Sequence, residues 1–321
     1  MKNNSIPLKL CRLLANGEFH SGKQLGELLG MSRTAVNKHI STLKTWGIDI
    51  FTVTGKGYCL SAPITLLDEK KINSLLDYER VVMIPVIDST NQYLFDNIDK
   101  LQSGDACIAE YQSAGRGRRG RKWFSPFGTN LYLSLYWCLE QGPAAANGLS
   151  LVIGIVMAEV LHQFGAVNVR VKWPNDLYLN DRKLAGILVE LIGKTGDAAK
   201  IVIGAGINLS MNKSDQSMID QDWINLQDAE VNIDRNELSA TIINQLRKTL
   251  PEFERYGLAP FTERWTALDN FINRPVKLLI GNREELGIAR GIDSMGGLLL
   301  EQNGVIKSHI GGEISLRPQS P

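Results

Sequence analysis

The chain is poor in the residues that covalent scaffolds and metal centres need. Its 321 residues include four cysteines, Cys11, Cys59, Cys107 and Cys138, and no C-x-x-C pair. Thiols scattered this thinly argue against a disulfide framework and for a reducing compartment. None of the four histidines stands at zinc-ligand spacing from a cysteine, and between residues 63 and 270 the only histidine is His162. A serine or cysteine nucleophile there has no base nearby in sequence. An excess of one charge is missing too. With 35 Lys and Arg against 34 Asp and Glu, no overall charge argues for nucleic acid or membrane. The longest uncharged run, 141–158, is interrupted by Gln141, Pro143, Asn147 and Ser150. Its apolar part, Leu151–Ala158, is far short of the ~20 residues that cross a bilayer, and reads as a buried core helix. The opening MKNNSIPLKL has no apolar signal core. The expected location is cytoplasmic, with no membrane partner.

What remains is ordinary globular composition, 44% hydrophobic and 21% charged, long enough for two or three domains. The charge is unevenly distributed. Residues 1–62 carry eight Lys and Arg against three Asp and Glu, a small basic module ahead of a mildly acidic body. Leu8, Leu10, Leu13 and Leu14 predict one helix face, and Leu25, Leu28 and Leu29 a second, capped by Ser21. After the Gly30-Met31 turn, Ser32 caps a third helix, Arg33–Trp46, with Val36, Ile40 and Leu43 inward. Two helices joined by a short glycine turn form a helix-turn-helix pattern. The hairpin 48–60, with Thr54-Gly55-Lys56-Gly57 at its tip, adds a wing. The outer positions Arg33, Thr34 and Asn37 are base-edge candidates, Lys38 and Lys44 phosphate partners, with Gly22, Ser41 and Lys56 beside them. So few cations imply two copies on two half-sites of operator DNA.

Ala62-Pro63 marks a linker. The pattern then predicts a helix over 64–76, a strand over 81–87 and a helix opened by Asp88-Ser89-Thr90-Asn91. After a strand at 106–111 comes a literal G-x-G-x-x-G at Gly115, Gly117 and Gly120. A dinucleotide fingerprint must open a helix, and here cations, Trp123, Phe124 and a Ser-Pro-Phe-Gly turn follow instead. Three glycines and five cations in Gly115–Lys122 describe a flexible loop suited to an anion, without a fixed fold when empty. Strands at 131–137, 184–190 and 201–208, two more within 169–178 on either side of a proline break, a β-turn at Asp181-Arg182-Lys183 and a buried helix at 148–164 complete a mostly antiparallel α+β unit. Residues 272–319 alternate short strands (276–280, 285–292, 298–302 and 305–309) with glycine turns, the spacing of a small β-barrel.

The Gly115–Lys122 loop with Trp123, the segment Lys172-Trp173-Pro174-Asn175-Asp176, and Lys183-Leu184-Ala185-Gly186-Ile187-Leu188-Val189-Glu190 occur in the order and spacing of one family. The chain resembles the biotin–protein ligases, over essentially its whole length. Its N-terminal winged helix makes it similar to the bifunctional members that also repress biotin synthesis. The resemblance implies an N-terminal winged helix-turn-helix at 1–62. A catalytic class II synthetase-like ligase fold, a mixed sheet with helices, is implied at 63–270, and an SH3-like barrel at 271–321. It implies biotin and ATP with Mg²⁺ as substrates and cofactor. Biotinyl-5′-AMP is then the intermediate and corepressor, biotin carboxyl carrier protein the acceptor, and an adenylate-bound homodimer the repressor. Lys183, Arg116 and Arg118 are the implied catalytic cations. Ser89, Thr90, Asn91, Gln112, Gly115, Gly117, Trp123 and Gly186 join them around biotin. For ATP, the implied set is Arg118, Arg121, Asn175, Lys183, Asn208 and Trp223, the last on a polar loop, Met211–Asp222. Asp176 is the candidate metal ligand. Segments 141–146 and 194–197 are implied neighbours of the dimer face. The alternatives are a ligand-sensing repressor with an inactive ligase domain, and a lipoate–protein ligase.

Overall fold

The computed structural model describes residues 4–194, 196–211, 219, 221–281, 283–310 and 314–318. Most of the 211–222 loop, Thr195, Asn282 and the Gly311-Gly312 turn lie outside the described residues. At the N-terminus, α1 (Ser5–Leu14) buries Pro7, Leu10, Cys11 and Leu14, while Leu8 and Leu13 pack at its margin. The hydroxyl of Ser21 accepts the Gln24 N–H at 3.1 Å and starts α2 (Gly22–Leu29). Gly30, in the left-handed region at φ 66°, ends it. Leu28 was expected inward, yet it is 60% exposed. A Cβ at Gly26 would stand 2.6 Å from the Met31 carbonyl. That close approach turns the face built on Gly22, Leu25 and Gly26 inward and leaves Leu28 outside it. Ser32 caps α3 (Arg33–Thr45), with Val36, Ile40 and Leu43 buried as expected. β1 (Ile50–Val53) and β2 (Gly57–Leu60) pair antiparallel as the wing.

The helix expected over 64–76 is only α4 (Glu69–Ser74). The backbone before it is bonded elsewhere and has none to spare for a helix. The Ile64 N–H donates to the Ala15 carbonyl at 3.1 Å, and the Leu67 N–H to Glu110 Oε1 at 2.5 Å. The Thr65 carbonyl accepts from Arg235 at 2.6 Å. Asp68 then caps α4. The 81–87 strand divides into β3 (Val81–Met83) and β4 (Val86–Ile87), because Pro85 brings no N–H to a ladder. After α5 (Thr90–Asp96), the 106–111 strand divides likewise into β5 (Ala106–Ala109) and β6 (Tyr111–Gln112), where Glu110 and Tyr111 donate to the Pro85 carbonyl.

β7 (Asn130–Leu139), α6 (Leu149–Gln163), β8 (Val169–Lys172), β9 (Asp176–Leu179), β10 (Arg182–Ile192) and β11 (Ala199–Asn208) follow. Seven strands form one sheet, β3-β5-β7-β11-β10-β9-β8, antiparallel except for β3 against β5. β4 and β6 pair beside it. By length and composition alone, 143–163 would suffice to cross a membrane. Within it, α6 is the expected core helix, packed on β8 and β10 and against α7 (Arg235–Tyr256) and α8 (Thr262–Leu268).

The C-terminal unit is a five-stranded antiparallel sheet, with β12 (Pro275–Ile280), β13 (Arg283–Ile292), β14 (Leu298–Gln302), β15 (Val305–His309) and β16 (Ile314–Pro318) in the order β15-β14-β13-β12-β16. The last strand was not expected. Val276, Leu278, Ala289, Leu298, Leu300 and Leu316 are continuous with the core of the catalytic sheet, so apolar packing does not divide the chain at residue 270. The winged helix keeps its own core, but Phe127 of the catalytic unit is part of it.

The join is aromatic. Trp46, at the end of α3, stacks on Phe127 at 5.5 Å between ring centroids and on Tyr111 at 6.0 Å, and its carbonyl accepts the Phe127 N–H at 2.8 Å. Trp46→Ala is expected to cost about 3–5 kcal/mol, the range for deleting a buried aromatic. Hydrogen exchange should show α1–α3 loosening before the large sheet, and urea unfolding would give the magnitude.

Candidate active site

Glycine makes room on the large sheet. Gly186 of β10 and Gly206 of β11 are direct cross-strand partners, and Gly204 is two residues away on the same face. A Cβ at Gly186 would lie 2.9 Å from Trp123 Cζ3, and one at Gly206 2.5 Å from Trp123 Nε1. One at Gly204 would collide with the Asn91 carboxamide. The indole thus lies on bare sheet, and a cavity of about 580 Å³ opens between β10 and β11, the start of α5, and the 115–124 loop. The loop has a defined course, closed by the Gly117 N–H donating to the Arg121 carbonyl at 2.7 Å and the Trp123 N–H to the Gly115 carbonyl at 2.9 Å.

One end of the cavity is polar but uncharged. Ser89 caps α5 by accepting the Gln92 N–H and is itself buried. The Thr90 N–H and hydroxyl both reach Gln112 Oε1, at 2.9 and 3.1 Å. Gln112 Nε2 donates to Ser125 Oγ at 3.1 Å. The Ser134 hydroxyl stands between Thr90 Oγ1, at 2.7 Å, and Asn91 Oδ1. Such a row can re-pair with a ligand that both donates and accepts hydrogen bonds.

Two expected ligand residues have other partners here. Gly115 does not line the cavity. A Cβ on it would be 2.5 Å from the Trp123 carbonyl and 2.6 Å from Ser125 Oγ, so its bareness lets the loop fold on itself. Arg116 lines the cavity, but its guanidinium donates to Glu190 at 2.8 Å and to Gln92 at 3.0 Å. With Asn91 also donating to Glu190 at 2.8 Å, the Arg116 charge is neutralised at the uncharged end. Like Lys183 on Asp176, the Arg116 guanidinium is held by a carboxylate in the empty cavity.

The other end is cationic. Lys183 is not in the turn. Asn180 and Asp181, both with left-handed φ of 51° and 58°, make the turn, and Lys183 is already in β10. Its N–H donates to the Asp222 carbonyl at 3.2 Å, and its carbonyl accepts the Ile224 N–H at 2.9 Å. Its ammonium lies 2.8 Å from Asp176 Oδ1 and 5.5 Å from the Trp123 ring centre. Arg118 donates to Asn175 Oδ1 at 2.8 Å, and burial lowers its pKa despite the pull of Asp176. Arg121 stands exposed at the rim.

The amides assigned to ATP hold protein instead. Asn175 Nδ2 donates to the Ile187 carbonyl at 2.7 Å, and Asn208 Nδ2 to the Ile224 carbonyl at 3.3 Å. Asn175 therefore positions Arg118, and Asn208 positions the segment carrying Trp223. Trp223 itself is buried in the cavity wall, its indole N–H without a partner.

Asp176 is not built as a metal ligand. Burial pushes its carboxyl up, but Lys183 and Lys172 outweigh this and hold it below the usual range. It is the only carboxylate lining the cavity among the described residues, and these contain no cluster of three His, Cys, Asp or Glu. Mg²⁺ takes one or two carboxylates together with phosphate oxygens and water, so here it fits as an ion arriving on a nucleotide, with no residue of the chain assigned to it.

Sequence reasoning missed Lys172, Arg317, Glu190, Gly204 and Gly206. The glycines two apart in a strand were a readable signal of a bare sheet face. Lys172 stood inside a segment already singled out. Arg317 carried no signal, because its strand was not recognised. It brings a cation from the C-terminal sheet to the cavity wall.

On the winged helix, Arg33, Thr34, Asn37, Lys38, Ser41 and Lys44 all stand exposed on α3, and Lys56 on the wing. The Tyr58 hydroxyl donates to Asn37 Oδ1 and fixes that carboxamide. Gly22 is buried. A Cβ there would meet Arg33 Cγ at 3.2 Å and the Tyr58 ring at 3.4 Å, so it makes room for the Arg33 side chain instead of facing DNA.

Comparison with known proteins agrees with this geometry. Residues 83–208 match the biotin/lipoate A/B protein ligase family, residues 8–59 a helix-turn-helix domain, and residues 271–317 the biotin protein ligase C-terminal domain. The bifunctional ligase/repressor BirA of Escherichia coli K12 is 69% identical over 317 residues, 99% of each chain. Its namesake in Bacillus subtilis is 29% identical over 309 residues, covering 94% of this chain and 95% of that one. A solved structure of the Aquifex aeolicus biotin protein ligase with biotin and ATP superposes with a TM-score of 0.65 at 28% identity, over 75% of this chain and all of that one. Nearly full-length identity at this level, with all three units matched in order, makes the chain a member of the biotin–protein ligase family, in its bifunctional ligase/repressor branch.

Proposed function

We propose that the chain activates biotin with ATP to biotinyl-5′-AMP, passes biotin to a lysine of biotin carboxyl carrier protein, and represses biotin synthesis while it holds the adenylate. The observation that carries this is one cavity with two chemically different ends. The uncharged row suits a ureido ring, which both donates and accepts. The cationic end suits a carboxylate meeting a triphosphate. Lipoate has no ureido group to occupy Thr90 and Gln112.

In the first step a biotin carboxylate oxygen attacks the α-phosphorus and pyrophosphate leaves. Both reactants are anions, so the protein's task is to hold them together and neutralise them. Ser89, Thr90 and Gln112, with the Arg116 backbone N–H, take the ureido group. Trp123 covers the thiophane ring and chain. Lys183 bridges carboxylate and α-phosphate, Arg118 and Arg121 hold phosphate oxygens, and Trp223 shelves the adenine. Mg²⁺ bound to ATP adds charge neutralisation on its phosphates. In the second step the acceptor lysine amine attacks the acyl carbon, and AMP leaves. The three units divide the work near residues 62 and 270. A regulator that reads chromosomal operators works in the cytoplasm.

The direct test is incubation with biotin, ATP and an acceptor domain, read by mass spectrometry. One biotinyl group on one acceptor lysine is expected, and an unmodified acceptor would overturn the reading. Lys183→Ala should slow biotin-dependent ATP–pyrophosphate exchange at least tenfold while changing biotin affinity less. Losing a charge-assisted bond of about 1.5–3 kcal/mol predicts that scale. An unchanged exchange rate would remove Lys183 from its role.

Repression needs two copies on two half-sites. Leu191 and Ile192, at the end of β10, are exposed. They adjoin Gly193, which faces Pro143, and the approach of Gly142 to Asp197, where a Cβ on Gly142 would stand 2.9 Å from the Asp197 carbonyl. This is the candidate dimer face. Sedimentation should show a larger dimer fraction with biotin and ATP than without. Equal association constants would sever ligand from dimerisation.

A further inference from the structure

We propose that Lys172 is a positioning residue for Lys183, the counter-charge that keeps Asp176 neutralised when the Lys183 ammonium moves onto the reacting oxygens. The inference rests on the ligase reading of the cavity and gives a task to a lining residue that the two steps above do not use.

Asp176 divides its two oxygens between two lysines. Oδ1 is 2.8 Å from the Lys183 ammonium, and Oδ2 is 3.8 Å from that of Lys172. Lys172 and Asp176 are cross-strand partners at the ends of β8 and β9, so the hairpin itself sets that second distance. The two ammonium groups differ in freedom. The Lys172 side chain is 2% exposed, donates to Tyr178 Oη at 2.7 Å, and lies 4.5 Å from the centre of the same ring. It is held in place. The Lys183 side chain lies at the cavity wall and is 14% exposed.

A cation bonded to a carboxylate is not available to a second and third anion. To bridge carboxylate and phosphate, Lys183 has to release Asp176. Taking the partner from a buried carboxylate leaves an uncompensated charge, among the costliest changes in a protein interior. Lys172 offsets part of that penalty: burial lowers its pKa to about 7 against the pull of Asp176, and the departure of the Lys183 charge, which also lowers it, favours the ammonium form 3.8 Å from Oδ2. Filling space does not account for it. An unbranched apolar side chain of similar length would occupy the site without burying an ammonium.

The test uses the full chain and three variants, Lys172→Met, Asp176→Asn and the two combined, each checked for folding by its melting curve. Three quantities are read: ATP–pyrophosphate exchange with biotin, the KM for biotin, and the rate at which acetic anhydride labels Lys183, followed by peptide mass spectrometry. Lys172→Met should tighten the hold of Asp176 on Lys183. The exchange kcat then falls at least tenfold, the KM for biotin moves less than threefold, and Lys183 labels more slowly than in the parent. In the combined variant no carboxylate is left to hold Lys183, so part of the lost exchange returns and labelling runs faster than in the parent. Additive losses with unchanged labelling, or parental exchange in Lys172→Met, would overturn the proposal. Should Lys172→Met not fold, adding it to Asp176→Asn must leave Lys183 labelling as it is in Asp176→Asn alone, and a further slowing overturns the proposal. A parent chain inactive with biotin overturns the ligase reading instead, and the labelling rates still decide what Lys172 does.

Discussion

The site depends on side chains left out of a sheet. A central strand buried on both faces is normally filled with branched residues. Here β10 and β11 oppose Gly186 to Gly206 and set Gly204 beside Leu188. The empty strip lets an indole lie flat on the backbone, lets Asn91 cross β11, and leaves a cavity where a core would be. The polar row and the cations then only have to reach its two ends. The uncharged row comes from the start of α5 and from β6, the cations from the loop, from β8 and β10, and from the last strand of the C-terminal sheet.

Three of the cations along the cavity are held on carboxylates. Arg116 is matched by Glu190, and Lys183 and Lys172 share Asp176. A buried cation without an acceptor would be costly in the empty protein. Holding each one on an internal partner keeps the unliganded site stable and makes ligand binding an exchange of partners. The uncharged row follows the same rule, since Thr90 and Gln112 satisfy each other until something displaces them.

Much of this was legible in the sequence, and the failures have physical causes. Periodicity marked α3, an uncharged apolar run marked α6, and three ordered motifs hold about half of the cavity lining. The helix expected over 64–76 shortened because Glu110 and Arg235, more than forty residues away, claim its backbone groups. No local pattern contains that information. Leu28 looked inward because leucines three apart usually share a face, and the close approach at Gly26 turned the helix. Lys183 looked like a turn residue because a charged triplet cannot show which of its members take left-handed φ. The pairing of Arg116 with Glu190 went unread because the two are 74 residues apart and meet only in the folded chain. β16 went unread because a five-residue strand beside glycines and proline has too little alternation to stand out.

The seat of Trp46 bears on how such a chain could exchange parts. The segment that carries Trp123 over the sheet runs on through Pro126, which lies under Gly47, to Phe127, which completes the core of the winged helix. The DNA-reading unit is therefore no interchangeable head on a generic ligase. A foreign module grafted at residue 62 would have to bring its own aromatic for Phe127 and Tyr111 to stack on, and its own carbonyl for the Phe127 N–H. Without both, the graft would unsettle the stretch of chain that closes over the ligand. A lineage that dropped its repressor function would need to repair that stretch in the same step.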